Sequence, residues 1–493
     1  MNAYLLGFIV FISGATVMTL ELVGSRVLSP FVGNSTVVWT SLIGIVLASL
    51  SVGYVWGGRI ADRGIKPINL AHVFIGASVF VFLIAILPPY IASMFVGGGI
   101  LGLTLILTIF LFTPATLLLG MVTPFALKLK IHNLGEVGRD AGGLYALSTI
   151  GSIVGTFLGG LVLVSFWGTN AIIVGCGVAL LLLAVTIFLS ERKRGVAVLL
   201  LVCALGASLF STWASALAEE NGLVADIDTR YSRFWIIDTP YRGEPARLLS
   251  NGVDIIQSGI LLEKPYELMS AYTRSFDIAE LFVPEPQKAL LVGAGVFTQP
   301  KHFIRRNPGA VIDVVDIDSR LEDISRKYFG YIPDDRIKSI VLDGRVYLNE
   351  ADKQYDIIYM DAFPSYFSIP AHLASRETVE MIEKNLAQNG VVVANIIGKV
   401  EGRGSEFVSS VYATYKEVFP NVHVYQVLDR EKSEIQNVVL LAYRDGVEME
   451  VGEEVEEVLA GVLSREFTPE PERGIVLTDN FSPVEKMLLL MQL

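Results

Sequence analysis

The residues of this 493-residue chain best placed to do chemistry are a pair of glycines and a set of acids at strand ends. Residues 289–318, ALLVGAGVFTQPKHFIRRNPGAVIDVVDID, read as an apolar strand, a glycine turn, a helix and a second strand ending in Asp316 and Asp318. Gly293 and Gly295 let the backbone pass close to a ligand at the C-terminal end of the first strand, where open α/β sheets bind cofactors. The acids about twenty residues later stand where a carboxylate takes ribose hydroxyls. After a third strand comes Asp343, placed to accept from an adenine amino group, with Gly344 keeping the backbone near the ring. After a fourth comes Asp361, at the same sheet edge. A GxG turn alone is a tight connection and a DG pair alone a common turn. Their convergence on one edge points to a nucleoside ligand.

These positions require a sheet, and the alternation of apolar runs with helical patterns supplies one. Strands are expected at 289–293, 311–316, 338–342, 356–360 and 390–396, with 421–427 and 436–443 adding an antiparallel edge. Upstream, 224–262 alternates as short strands around a turn at Tyr241–Pro245, and 266–282 reads as a helix. The acidic run 447–472 reads as a solvated helix and connector.

The first 220 residues are of another kind. The chain is 52% hydrophobic with mean hydropathy +0.54, too apolar for an ordinary soluble protein. Apolar runs long enough to cross a bilayer lie at 4–30, 37–58, 69–90, 98–127, 142–167, 170–190 and 196–217, about seven spans. Gly151, Gly155 and Gly159 repeat every fourth residue, a helix-packing pattern. Glu21 and Arg26 put charges in the first span, as an ion pair, an interfacial anchor or a functional site. The first 220 residues carry net +3 and the remainder −15, and the acidic soluble half argues against nucleic acid as partner. The two cysteines, Cys176 and Cys203, fall in apolar segments, and the five histidines have no metal-site spacing. Basic residues collect in the loops at 59–66, 128–139 and 192–194, which the positive-inside rule assigns to the cytoplasm. Seven spans would then put the soluble half outside, away from soluble nucleotide cofactors, and the sequence leaves the side open.

The residues quoted above carry a family resemblance. The soluble half resembles the polyamine aminopropyltransferases, the spermidine synthase family, over 224–445 and again at LTDNFSPVE, 478–485. The membrane half is similar to that family's membrane-fused members through ELVGSR, GMVTP and GGLYALSTIGSIVG. The resemblance implies a transmembrane helical domain at 1–220, a small β-region at 221–265 and a Rossmann-like transferase sheet at 266–493. It implies a donor, S-adenosylmethionine or its decarboxylated form, held by Gln257, Gly293, Gly295, Asp316, Asp318, Asp343 and Gly344. Tyr266 and His372 would meet the acceptor, Asp361 would take the proton of the attacking amine, and no metal is implied. The partners expected are a small amine or polyamine, the lipid bilayer and a second copy of the chain. Two departures stand out: DAFPSY lacks the family's second catalytic acid, and GAGVF lacks the acid of its glycine loop. Three functions follow: aminopropyl transfer, methyl or alkyl transfer to a lipid or small amine, and non-enzymatic binding of a polyamine or nucleoside by a transporter or sensor.

Overall fold

The computed structural model describes residues 3–95, 99–131, 134–202, 206, 222–252, 255–362, 370–449 and 457–491. The chain divides into two compact units, Met1–Arg233 and Phe234–Leu493. Among the described residues of the first unit, six helices are long and apolar enough to cross a membrane: Ala3–Val32, Thr36–Asp62, Pro67–Ile86, Gly99–Lys130, Val137–Leu163 and Thr169–Ser190. The expected seventh run, 196–217, falls largely outside the described residues.

In runs this long and apolar the helix pairs every backbone N–H and C=O within its own segment. We label α1 (Ala3–Val32), α2 (Thr36–Asp62), α3 (Pro67–Ile86), α4 (Pro88–Met94), α5 (Gly99–Gly120), α6 (Val122–Lys130), α7 (Val137–Phe157) and α8 (Thr169–Ser190). The run expected to continue from 69 to 90 ends at Ile86, and α4 starts afresh at Pro88, because Pro88 and Pro89 have no N–H for the helical ladder. The first and fifth spans touch at backbone distance. A Cβ on Gly151 would stand 2.0 Å from the Phe11 carbonyl oxygen, and one on Gly155 2.2 Å from that of Ala15. Gly155→Leu is therefore expected to push α1 off α7, at the upper end of the ~1–3 kcal/mol typical of overpacking. A lower melting temperature in detergent, absent for Gly138→Leu in open space, would check this.

Strand β1 (Leu223–Asp228) belongs to the first unit. β2 (Arg233–Tyr241), β3 (Glu244–Gly252) and β4 (Ile255–Leu261) pair antiparallel in sequence order. The β2–β3 hairpin closes on Arg242 and Gly243, both at positive φ, the two-residue turn that suits strand twist. Between β3 and β4 the register slips at Gln257, one extra residue on β4, and such bulges re-aim a side chain.

The second sheet has seven strands: β5 (Lys288–Val292), β6 (Val311–Asp316), β7 (Ile337–Val341), β8 (Tyr355–Met360), β9 (Leu386–Gly398), β10 (Asn421–Gln426) and β11 (Gln436–Tyr443). Their order is β10-β11-β9-β8-β5-β6-β7, parallel from β9 to β7 with β11 antiparallel to β9. The strands are buried runs of Val, Ile and Leu, as a sheet covered on both faces requires. The chain works outward from β5 to β7, then returns to the other side of β5 with β8. The topological switch point thus lies between β5 and β8, where such sheets bind ligands.

The expected helix at 266–282 is a correction. Helix α9 covers only Ala271–Ser275 and continues as a 3-10 segment, Phe276–Leu281, because Ser270 is extended and begins the helix. The stretch before it folds as turns, with Glu267 N–H donating to the Lys264 carbonyl. Of the acidic run at 447–472, the described part contains a short helix at Glu457–Leu463, while 450–456 lies outside the described residues.

Candidate active site

The switch point is built by contact between two strand ends. Gly293 follows β5 at φ +103°, and a Cβ there would stand 2.3 Å from the Asp361 carbonyl oxygen. Gly293 N–H donates to the Val315 carbonyl at 2.8 Å and Asp361 N–H to that of Val292 at 2.9 Å, so pairing runs one residue past each strand. The glycine turn and the acid at 361 are thereby neighbours.

Asp316 is fastened to the same turn. Its Oδ2 accepts from Ala294 N–H at 2.8 Å and its Oδ1 from Asp318 N–H at 2.9 Å. Burial pushes its carboxyl above the ordinary value, and the two N–H groups work against that. Each oxygen keeps a lone pair for a hydroxyl donor. Asp318 is buried, and its Oδ1 accepts from Arg320 N–H at 3.0 Å, turning the chain into the helix Leu321–Tyr328. Gly295 sits at φ +51° over Ser258, whose hydroxyl accepts from Val296 N–H at 3.3 Å. Ser258 and the bulged Gln257 are consecutive on β4, and Gln257 Oε1 is sealed from solvent with no hydrogen-bond partner among the described residues.

Asp343 caps the helix Gly344–Glu350, its Oδ1 accepting from the N–H groups of Arg345 and Val346 at 2.9 and 3.1 Å. A Cβ on Gly344 would stand 2.5 Å from Val292 Cγ1, so this glycine lets the helix start tight against β5. The other Asp343 oxygen, Oδ2, lies 3.2 Å from His372 Nε2. His372 thus stands on the Asp343 side of the crevice. Arg345 is held by a two-pronged pair with Asp479, which brings the LTDN segment over this helix.

Asp361 is the most constrained group of the set. Its Oδ1 accepts from Asn395 Nδ2 at 2.9 Å and its Oδ2 from the Tyr272 hydroxyl at 3.3 Å. Asn395 Oδ1 in turn accepts from Asn437 Nδ2 at 2.9 Å. The brace crosses β8, β9 and β11 laterally. Burial raises the Asp361 carboxyl to about 7, against the lowering effect of the Asn395 and Tyr272 hydrogen bonds. The Tyr272 phenol is itself pushed well above its usual value by burial, which keeps it a neutral donor. Tyr272→Phe is therefore expected to move the acid limb of any Asp361-dependent activity to higher pH, because a bond favouring the ionised form is lost. A pH–rate profile would check it, and an unmoved limb would remove Tyr272 from the site.

The structure thus brings Gly293, Asp316 and Asp361 together, places Gly295 against the strand that carries Gln257, and pairs Asp343 with His372. It does not join Tyr266 to them. Tyr266 is 60% exposed with the Arg305 guanidinium 5.3 Å from its ring centre. Sequence reasoning missed the brace, although an asparagine inside the apolar strand VVVANIIG is a visible signal, since buried amides need partners. Residues 363–369, which follow Asp361 and Ala362, lie outside the described residues.

An open, mostly parallel sheet with a glycine turn and strand-end acids at its switch point defines the class: an α/β domain of Rossmann-like topology. Within that class, residues 271–445 match the family model of the spermine/spermidine synthase domain. A polyamine aminopropyltransferase of Vibrio vulnificus is 30% identical over 159 residues, covering 32% of this chain and 51% of that protein. The mouse eEF1A lysine and N-terminal methyltransferase is 26% identical over 157 residues, covering 30% and 22%. Among solved structures, a probable spermidine synthase from Corynebacterium glutamicum has a TM-score of 0.41 at 24% identity, covering 48% of this chain and 85% of that one. The chain spans about half or less of the length of these two curated relatives.

Proposed function

We propose that this protein transfers an aminopropyl group from decarboxylated S-adenosylmethionine to an amine acceptor, with Asp361 as general base, on a chain anchored in a membrane by its helical half. The observation that carries the reading is the Asp361 carboxyl, braced against the glycine turn at the switch point and raised to about 7. A base with that value accepts a proton near neutral pH and returns it readily.

The rest of the crevice supports a donor with an adenosyl group. The free lone pairs of Asp316 suit ribose hydroxyls, Asp343 suits an adenine amino group, and the unpartnered Gln257 Oε1 suits a polar hydrogen of the donor. When bound, the sulfonium donor supplies an activated carbon. The neutral amine attacks that carbon in line with the sulfur, so that a C–N bond forms as the C–S bond breaks. The bonding pair stays on sulfur, which departs as a neutral thioether, and the proton of the new ammonium passes to a carboxylate oxygen of Asp361. Alignment of the two reactants is expected to supply ~7 kcal/mol or more of the rate enhancement.

A second reading is methyl transfer from intact S-adenosylmethionine. The similarity to a protein named a methyltransferase supports it, as does the fully buried Val296 in the glycine loop, which offers no carboxylate to a cationic donor tail. Incubating the purified protein with each donor and a set of amines distinguishes the two. Methylthioadenosine from the decarboxylated donor is the expected product, S-adenosylhomocysteine would select methyl transfer, and neither product would leave a binding protein.

A further inference from the structure

The first unit has two chemically distinct ends. Following the helices alternately, Arg59, Arg63, Lys66, Lys128, Lys130, Arg139, Arg192, Lys193 and Arg194 all fall at one end. The pairs Lys128–Asp62 at 3.6 Å and Lys130–Asp140 at 3.2 Å tie the loops of that end together. The connections at the other end, 33–35, 87–98 and 167–168, contain no lysine or arginine.

Strand β1 is fastened to the end whose helix connections lack lysine and arginine. Asp228, its last residue, accepts from Thr169 N–H at 2.7 Å and from the Thr169 hydroxyl at 2.9 Å, at the first turn of α8. A carboxylate is favoured at a helix N-terminus by the exposed N–H groups there. Arg26, near the C-terminal end of α1, donates to the carbonyls of Thr229 and Arg230 at 2.7 and 2.5 Å and lies 3.9 Å from Asp228. Arg26, set in the first membrane run, is thus a clasp for the strand that leaves the bundle.

We infer that this clasp fixes the sidedness of the protein: residues 223–233 emerge on the extracytoplasmic face, and the transferase chain that follows Arg233 begins there. The inference rests on the reading that the six helices cross a membrane. The positive-inside rule puts the nine-cation end in the cytoplasm. The 22 residues of α8 span about 33 Å, so the end holding Asp228 and the end holding Arg192 lie a full bilayer apart. Residues 191–222 join the two ends in the chain, and within them the sequence carries the apolar run 196–217. An amine acceptor on this reading is met outside the cytoplasm.

The test uses the full-length chain in cells, with Cys176 and Cys203 replaced by alanine and one cysteine introduced. Tyr231→Cys, at an exposed position beyond the clasp, is expected to react with a membrane-impermeant maleimide in intact cells, and Lys193→Cys only after permeabilisation. The reverse pattern, or labelling of Tyr231→Cys only after permeabilisation, overturns the inference. Protease digestion of the unaltered protein in right-side-out and inverted vesicles repeats the measurement without substitution, with cleavage in 223–233 expected only in the former. Alkaline carbonate extraction separates failure of the membrane reading, since a chain released to the supernatant does not cross a bilayer at all.

Discussion

Asp361→Asn lowers turnover by ~10²–10⁴-fold, the usual contribution of a positioned general base, while donor affinity is nearly unchanged. The substitution is isosteric. The Asn395 amide still finds an oxygen at 361, and the new amide donates to the Tyr272 hydroxyl, so the brace of hydrogen bonds survives. What is lost is an acceptor for the proton. Turnover by the native protein should fall about tenfold per pH unit below a midpoint near 7, where Asp361 becomes protonated, and the variant should lack that limb. Stability changes in the opposite sense. A carboxyl whose folded value lies above its unfolded one stabilises the fold below the unfolded value and loses that contribution as pH rises through the folded one. The window here runs from 3.8 to about 7. The full cost of ionising Asp361 in place is at most about 4 kcal/mol. Asp361→Asn should therefore raise the melting temperature more at pH 8 than at pH 4. Equal turnover of the two proteins with a donor-binding curve unaltered would remove Asp361 from the chemistry.

Gly293→Ala removes both donor binding and turnover. Two independent obstacles act on the added methyl. The backbone at φ +103° is a region an alanine enters only at a cost of about 1–3 kcal/mol, and the methyl meets the Asp361 carbonyl oxygen at 2.3 Å, which is backbone and cannot rotate away. Relief requires the turn to lift or the end of β8 to retreat, and either movement separates the donor site from the base. Gly295→Ala is the comparison. Its φ of +51° lies in the left-handed region open to other residues, and its nearest neighbour is the Ser258 hydroxyl at 3.0 Å, a side chain with freedom to turn. Calorimetric titration with S-adenosylhomocysteine and thermal melting would rank the variants. Gly293→Ala binding as well as Gly295→Ala would show that contact between the turn and β8 does not organise the site.

The sheet was legible in the sequence because its strands are buried on both faces and so appear as short unbroken apolar runs between glycines, acids and helical patterns. The positions 289–293, 356–360 and 436–443 differ from the observed strands by a residue or less at each end. The six long helices were legible for a related reason, since a long unbroken apolar run pairs its backbone groups best as a helix. The stretch 266–282 failed because its apolar spacing is helical while its geometry is decided locally by turns and by the extended Ser270. Among candidate site residues, those at strand ends were found from order along the chain, as with Gly293, Asp316 and Asp361. Tyr272, Asn395 and Asn437 were not, because their relation to Asp361 crosses three strands and no spacing in the chain encodes it. Arg26 could be noticed as a charge in an apolar helix, but its partner 202 residues later could not be read from periodicity.

The base also has a date in the life of each molecule. Gly293 through Asp361 supply the turn and acids proposed to hold the donor, but Asn395 follows Asp361 by 34 residues and Asn437 follows Asn395 by a further 42. A ribosome therefore releases the donor cradle before the strands that pin the base, and β11 must insert between β9 and β10 before the brace closes.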